Sequence, residues 1–158
     1  NTDGGHLSHT GSFAVEELTI NGVSVGELGK NMLFAAYFGV PTVTVTGDLA
    51  VCEEAKALVP GIETAAVKEG LKRGPATGLT AEENRLHNGA AIHLSLEAAR
   101  ARIKEAARRG IERRQEIKPF WLEPPYEMVT VYRPSNGQSG RTVVVTSNDL
   151  LDLLTKRG

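Results

Sequence analysis

One stretch constrains the fold more than any other. Residues 42–46, Thr-Val-Thr-Val-Thr, are β-branched at every position, which favours a pleated, extended backbone. Gly47-Asp48 then offers a turn and a helix N-cap, and residues 49–59 carry Cys52, Ala55 and Leu58 on one helical face before Pro60-Gly61 closes the helix. Residues 63–67 read as a further strand. Strand, helix and strand at this spacing make a βαβ unit with parallel pairing. The expected class is therefore α/β: a mixed sheet with flanking helices, a βαβ unit plus a hairpin, and a small C-terminal α+β portion.

The hairpin is read from Asn21-Gly22 between residues 15–20 and 23–25, because Asn-Gly readily takes the two positive φ values of a tight turn. Leu28, Met32, Ala35 and Ala36 then recur at helical spacing, with Glu27 in the first turn and Gly39 before Pro41 at the end. A loop follows at 70–78. Thr80-x-x-Glu83 forms a capping box ahead of Leu86, Ala90 and Ile92, although Gly89 interrupts that run. Ser95 caps the longest predicted helix, whose apolar stripe runs through Leu96, Ala99, Ile103, Ala106, Ala107 and Ile111. Strands are expected at 127–132 and 141–146, then a terminal helix capped by Asn148. We divide the chain into an α/β body over 1–118 and a strand-strand-helix appendage over 119–158.

Composition narrows the function classes. Eighteen Lys and Arg against nineteen Asp and Glu give a formal charge of −1, without the basic excess that phosphate backbones select. No nucleic acid partner is expected. The eight basic residues against four Glu over 97–118 read as a solvated helix face. No apolar run reaches the roughly 20 residues of a membrane span, so no membrane partner is expected. A single cysteine, Cys52, points to a reducing compartment and a cytoplasmic location. Placed inside an amphipathic helix, it reads as a buried, inert thiol. The glycines before Lys30 miss the P-loop spacing, since Ser24 and Asn31 stand where glycine and Ser or Thr are required. The four histidines, at 6, 9, 87 and 93, form no self-contained metal motif. Asp48 reads as a helix cap, and His87 and His93 as surface residues.

Five stretches, in order, resemble the zinc D-aminopeptidase family: Leu7-Ser8-His9-Thr10, residues 20–31 including Gly26-Glu27-Leu28-Gly29, residues 35–41, residues 45–48 and residues 60–68. The resemblance implies a metallo-aminopeptidase that hydrolyses short peptides from the N-terminus, with D-residues among the candidate substrates, and that forms homo-oligomers. It implies two zinc ions, with Glu27 as a metal ligand and His9 as the catalytic residue. In that family an Asp-x-Glu and two histidines supply the remaining ligands; their positions fall ahead of Asn1, and His6 does not align with either histidine. The expectation is an N-terminally truncated chain, inactive alone, with open sheet edges and exposed apolar surface. The competing expectation is a non-catalytic α/β assembly or binding domain that has lost the metal site. Residues 74–94 look inserted relative to the family.

Overall fold

The structure, a computed structural model, describes residues 3–74 and 76–155. The chain runs β1 (Val15–Ile20), β2 (Val23–Ser24), α1 (Gly26–Tyr37), β3 (Thr44–Asp48), α2 (Leu49–Leu58), β4 (Glu63–Gly70), α3 (Ala81–His87), β5 (Ala91–His93), α4 (Leu96–Glu112), β6 (Tyr126–Tyr132), β7 (Arg141–Ser147) and α5 (Leu150–Thr155). The class is α/β, and the strands fall into two sheets, ordered β2-β1-β6-β7 and β3-β4-β5.

The βαβ reading holds: β3 and β4 pair in parallel, Thr44 opposite Glu63 and Thr46 opposite Ala65. Asp48 caps α2 by accepting the Val51 N–H at 2.8 Å. At the hairpin, Asn21 and Gly22 have φ of 51° and 76°, the conformation that favours this dipeptide. The Val25 N–H then bonds the Leu18 carbonyl at 3.0 Å, so the start of α1 is fixed to β1.

Three sequence expectations are corrected. First, residues 119–158 do not stand apart as an appendage. β6 pairs antiparallel with β1 along its length, and Tyr126, Met128, Leu150 and Leu153 share one buried cluster with Val15, Leu18, Ile20, Val25 and Leu33. β1 has apolar residues to bury and a free edge, and β6 supplies partners for both. Second, the run after the capping box does not stay helical. Thr80 and Glu83 make both capping bonds, but α3 ends at His87 with Asn88 as its C-cap. Residues 91–93 leave as β5, antiparallel to β4, because the open edge of β4 takes backbone groups that Gly89 frees from the helix. Third, Asp149 and not Asn148 caps α5, accepting the Asp152 N–H at 2.7 Å.

A second cluster, Met32, Val45, Ala55, Val59, Ile62 and Ile117, joins α1, α2 and the mixed sheet. α4 packs through Ala106 and Gly110, where a Cβ on Gly110 would meet the Thr44 hydroxyl and the Val43 carbonyl. The two ends of its apolar stripe, Leu96 and Ile111, are exposed, as are Phe34, Tyr37, Phe38 and Val40 around the end of α1. Cys52 is buried, and that burial pushes its thiol up. Among the described residues no helix is long and apolar enough to cross a membrane.

The basic face of α4 is held by acids. Glu63 accepts from Arg109 Nε at 2.8 Å and from Arg113, and these bonds hold its carboxyl below the ordinary range. A carboxylate whose pKa is lowered on folding stabilises the protein above its unfolded pKa of about 4.3, and that contribution is lost as pH falls through the folded value. Glu63→Gln is therefore expected to melt below the wild type at pH 7, with the gap closing as pH drops below about 4. Thermal melts across that range check the sign.

Candidate active site

Glu27 reaches its position through three local constraints. β1 and the Asn21-Gly22 turn direct the chain back, Gly26 takes a φ of 51°, and α1 begins at once. A carboxylate in the first turn is favoured there by the helix dipole. Glu27 Oε2 accepts the Gly11 N–H at 2.8 Å, which ties the helix start to the segment carrying His9. Both residues line one cavity of about 230 Å³ at the junction of β1, α1, α2 and the N-terminal segment. His9 and Glu27 are thus brought to a common space.

The imidazole of His9 is oriented by its own backbone. Its Nδ1 lies 2.7 Å from the Leu7 carbonyl oxygen, which can only accept, so Nδ1 carries the proton and Nε2 is left as the acceptor of the neutral ring. Leu7 has a φ of 55°, an unusual conformation for a leucine, and its N–H donates to the Asn88 carbonyl at 2.8 Å. Asn88 is buried and its side-chain amide donates to Asn84 Oδ1 at 2.8 Å. Asn84 and Asn88, at the two ends of the last turn of α3, therefore brace the peptide that faces His9. Phe13 packs against the ring, centroids 5.0 Å apart. Nitrogen-detected NMR of the neutral protein is expected to find His9 in the Nδ1–H form, the reverse of the usual preference of free histidine; a majority of Nε2–H would overturn this orientation.

Three further acids line the same cavity. Asp48 is buried and serves twice, capping α2 and accepting the His6 N–H through Oδ2 at 2.9 Å; its capping role was legible in the sequence, its place in the cavity was not. Glu17 and Glu54 also line it. Neither carried a sequence signal, since each sits beside another Glu and only the fold decides which of the two faces inward. With Glu27 this makes four carboxylates and no Lys or Arg among the described residues that line the cavity. Such a lining attracts cationic groups. The imidazoles of His6 and His93 do not line this cavity and meet each other edge to face, centroids 5.3 Å apart.

A zinc centre needs three or four protein donors. Among the described residues no group of three or more His, Cys, Asp or Glu side chains is gathered so as to hold a metal ion, and one oxygen of Glu27 is already engaged by Gly11. The residues present therefore do not fit a self-contained zinc site.

The chain matches the D-aminopeptidase family over residues 1–148. It belongs to that family. A D-aminopeptidase of Bacillus subtilis (strain 168) is 44% identical over 69 residues, which is 44% of this chain and 25% of that protein. The solved structure of the Zn-dependent D-aminopeptidase DppA from Bacillus subtilis, a self-compartmentalizing protease, superposes with a TM-score of 0.78 at 24% identity, covering 96% of this chain and 54% of the other. At that identity the likeness speaks for the fold. This family member spans between a quarter and about half the length of these two relatives.

Proposed function

We propose that this D-aminopeptidase family member acts, within a chain of its relatives' length, as an aminopeptidase on short peptides. The observation that carries the reading is that His9 and Glu27, eighteen positions apart, line one acidic cavity. An aminopeptidase must hold the free amino group of its substrate, and an ammonium is the group that a cavity lined by Glu17, Glu27, Asp48 and Glu54 would draw in. Glu27 is kept in place by the Gly11 N–H, so it does not have to be reoriented when substrate arrives. In the Nδ1–H form, His9 offers Nε2 to accept a proton in the cavity or, once charged, to return it to a leaving amine.

Zinc is part of this proposal only as a property of the longer protein, because the described donors do not complete a site. Glu27 would be one ligand, and the others would come from residues outside the described set. A homo-oligomer is also proposed: Phe34, Tyr37, Phe38 and Val40 form an exposed apolar group of the kind that subunit contacts cover. A cytoplasmic location is retained as a proposal from the single, buried cysteine.

The test compares the 158-residue chain with a version extended on its N-terminal side to the relatives' length. Zinc by elemental analysis, dipeptide hydrolysis and sedimentation are measured on both. Stoichiometric zinc, turnover and a multi-subunit particle are expected of the extended form. An extended form that is folded, metal-free and inactive would overturn the reading in favour of an assembly or binding domain.

A further inference from the structure

A second cavity opens beside the first. Its volume is about 560 Å³, within the range of small-molecule sites. It lies between the first turns of α1 and the end of the β1-β6-β7 face, where Val15, Leu18, Met128, Tyr132 and Val145 make an apolar floor. The two cavities share Thr10, Leu18 and Glu27, so one molecule can occupy both. Their chemistry differs. Among the described residues the first has four carboxylates and no Lys or Arg; the second has Lys30, a half-buried residue that makes no ion pair among them. Unpaired ammonium groups held against apolar surface favour an anionic partner. Glu27 stands three positions earlier on the same helix, but its Oε2 is turned to the Gly11 N–H.

From this arrangement we infer that Lys30 binds the C-terminal carboxylate of a short peptide whose last side chain is apolar and lies on the Val15, Leu18, Met128, Tyr132 and Val145 floor. The inference deepens the aminopeptidase reading by assigning substrate length and C-terminal residue. Three positions of α-helix advance about 4.5 Å, and two extended residues span at most about 7 Å. A dipeptide or tripeptide can therefore place its ammonium among the carboxylates of the first cavity while its carboxylate meets Lys30 in the second. A longer peptide must carry an uncharged amide past Lys30. Lys30 thus acts as a ruler that reads the distance from the amino to the carboxyl end.

The experiment uses probes without a free amine, so binding needs neither hydrolysis nor metal. N-acetylleucine, its carboxamide and N-acetylglycine are titrated into the 158-residue chain by NMR. N-acetylleucine is expected to bind at least tenfold more tightly than the carboxamide and more tightly than N-acetylglycine. Lys30→Met, which keeps the apolar stem, is expected to abolish the preference for acid over amide while leucine still exceeds glycine; Lys30→Arg is expected to keep it. Equal binding of acid and amide to the wild type overturns the inference, whether or not the variants fold, and so does a Met variant with the preference intact. If the probes behave as expected while the extended chain hydrolyses nothing, the carboxylate site stands and the peptidase reading falls. If the extended chain is active but cleaves peptides and their C-terminal amides equally well, the ruler fails alone.

Discussion

Replacing His9 by Ala in the extended, active chain is expected to lower turnover about a hundredfold, the usual loss when proton transfer by a positioned imidazole is removed. KM should change little, since the carboxylates that would draw the substrate amine belong to other residues. The size of the effect rests on orientation. The Leu7 carbonyl holds Nδ1 at 2.7 Å and Phe13 lies against the ring, so Nε2 is presented in a defined direction instead of being sampled by a free side chain. Steady-state kinetics on a dipeptide, with zinc content measured on the same sample, decides the matter. Turnover within threefold of wild type, at unchanged metal content, would remove His9 from the chemistry.

Leu153→Ala is expected to destabilise the whole protein by about 2–5 kcal/mol, the range for emptying a buried leucine site. Leu153 lies in α5, near the end of the chain, yet it is fully buried against Val15, Leu18, Ile20, Val25 and Leu33 of the hairpin and α1. If residues 119–158 folded separately, the loss would be confined to them and the first 118 residues would melt as before. The interleaving of β6 with β1 predicts a single cooperative transition that moves as a unit. Chemical denaturation followed at Trp121, ahead of β6, and by far-ultraviolet circular dichroism separates these outcomes: coincident shifts are expected, and an early local transition would contradict the shared core.

The candidate site was legible to different depths. His9 and Glu27 could be named only through the resemblance of the stretches around them to the D-aminopeptidase family, and Asp48 as a cap from Gly-Asp before an apolar helix. Glu17 and Glu54 could not, because Glu16-Glu17 and Glu53-Glu54 present two candidates each and no local rule chooses between them. Lys30 follows glycines that miss the phosphate-loop spacing, so no local motif marks it. Its significance comes from Met128, Tyr132 and Val145, about a hundred residues later, which make the floor beneath it.

By itself the sequence determined the local elements: the Asn-Gly hairpin, the βαβ unit, and the caps at Asp48, Thr80 and Ser95, since each depends on the conformational limits and hydrogen-bonding reach of a few neighbouring residues. Only the tertiary structure decided that β6 lies beside β1, that residues 91–93 leave the helix for the edge of β4, and that the Leu7 peptide is braced by Asn88. Those choices depend on which open edge and which apolar face meet across long separations in the chain. No short window of sequence contains both partners.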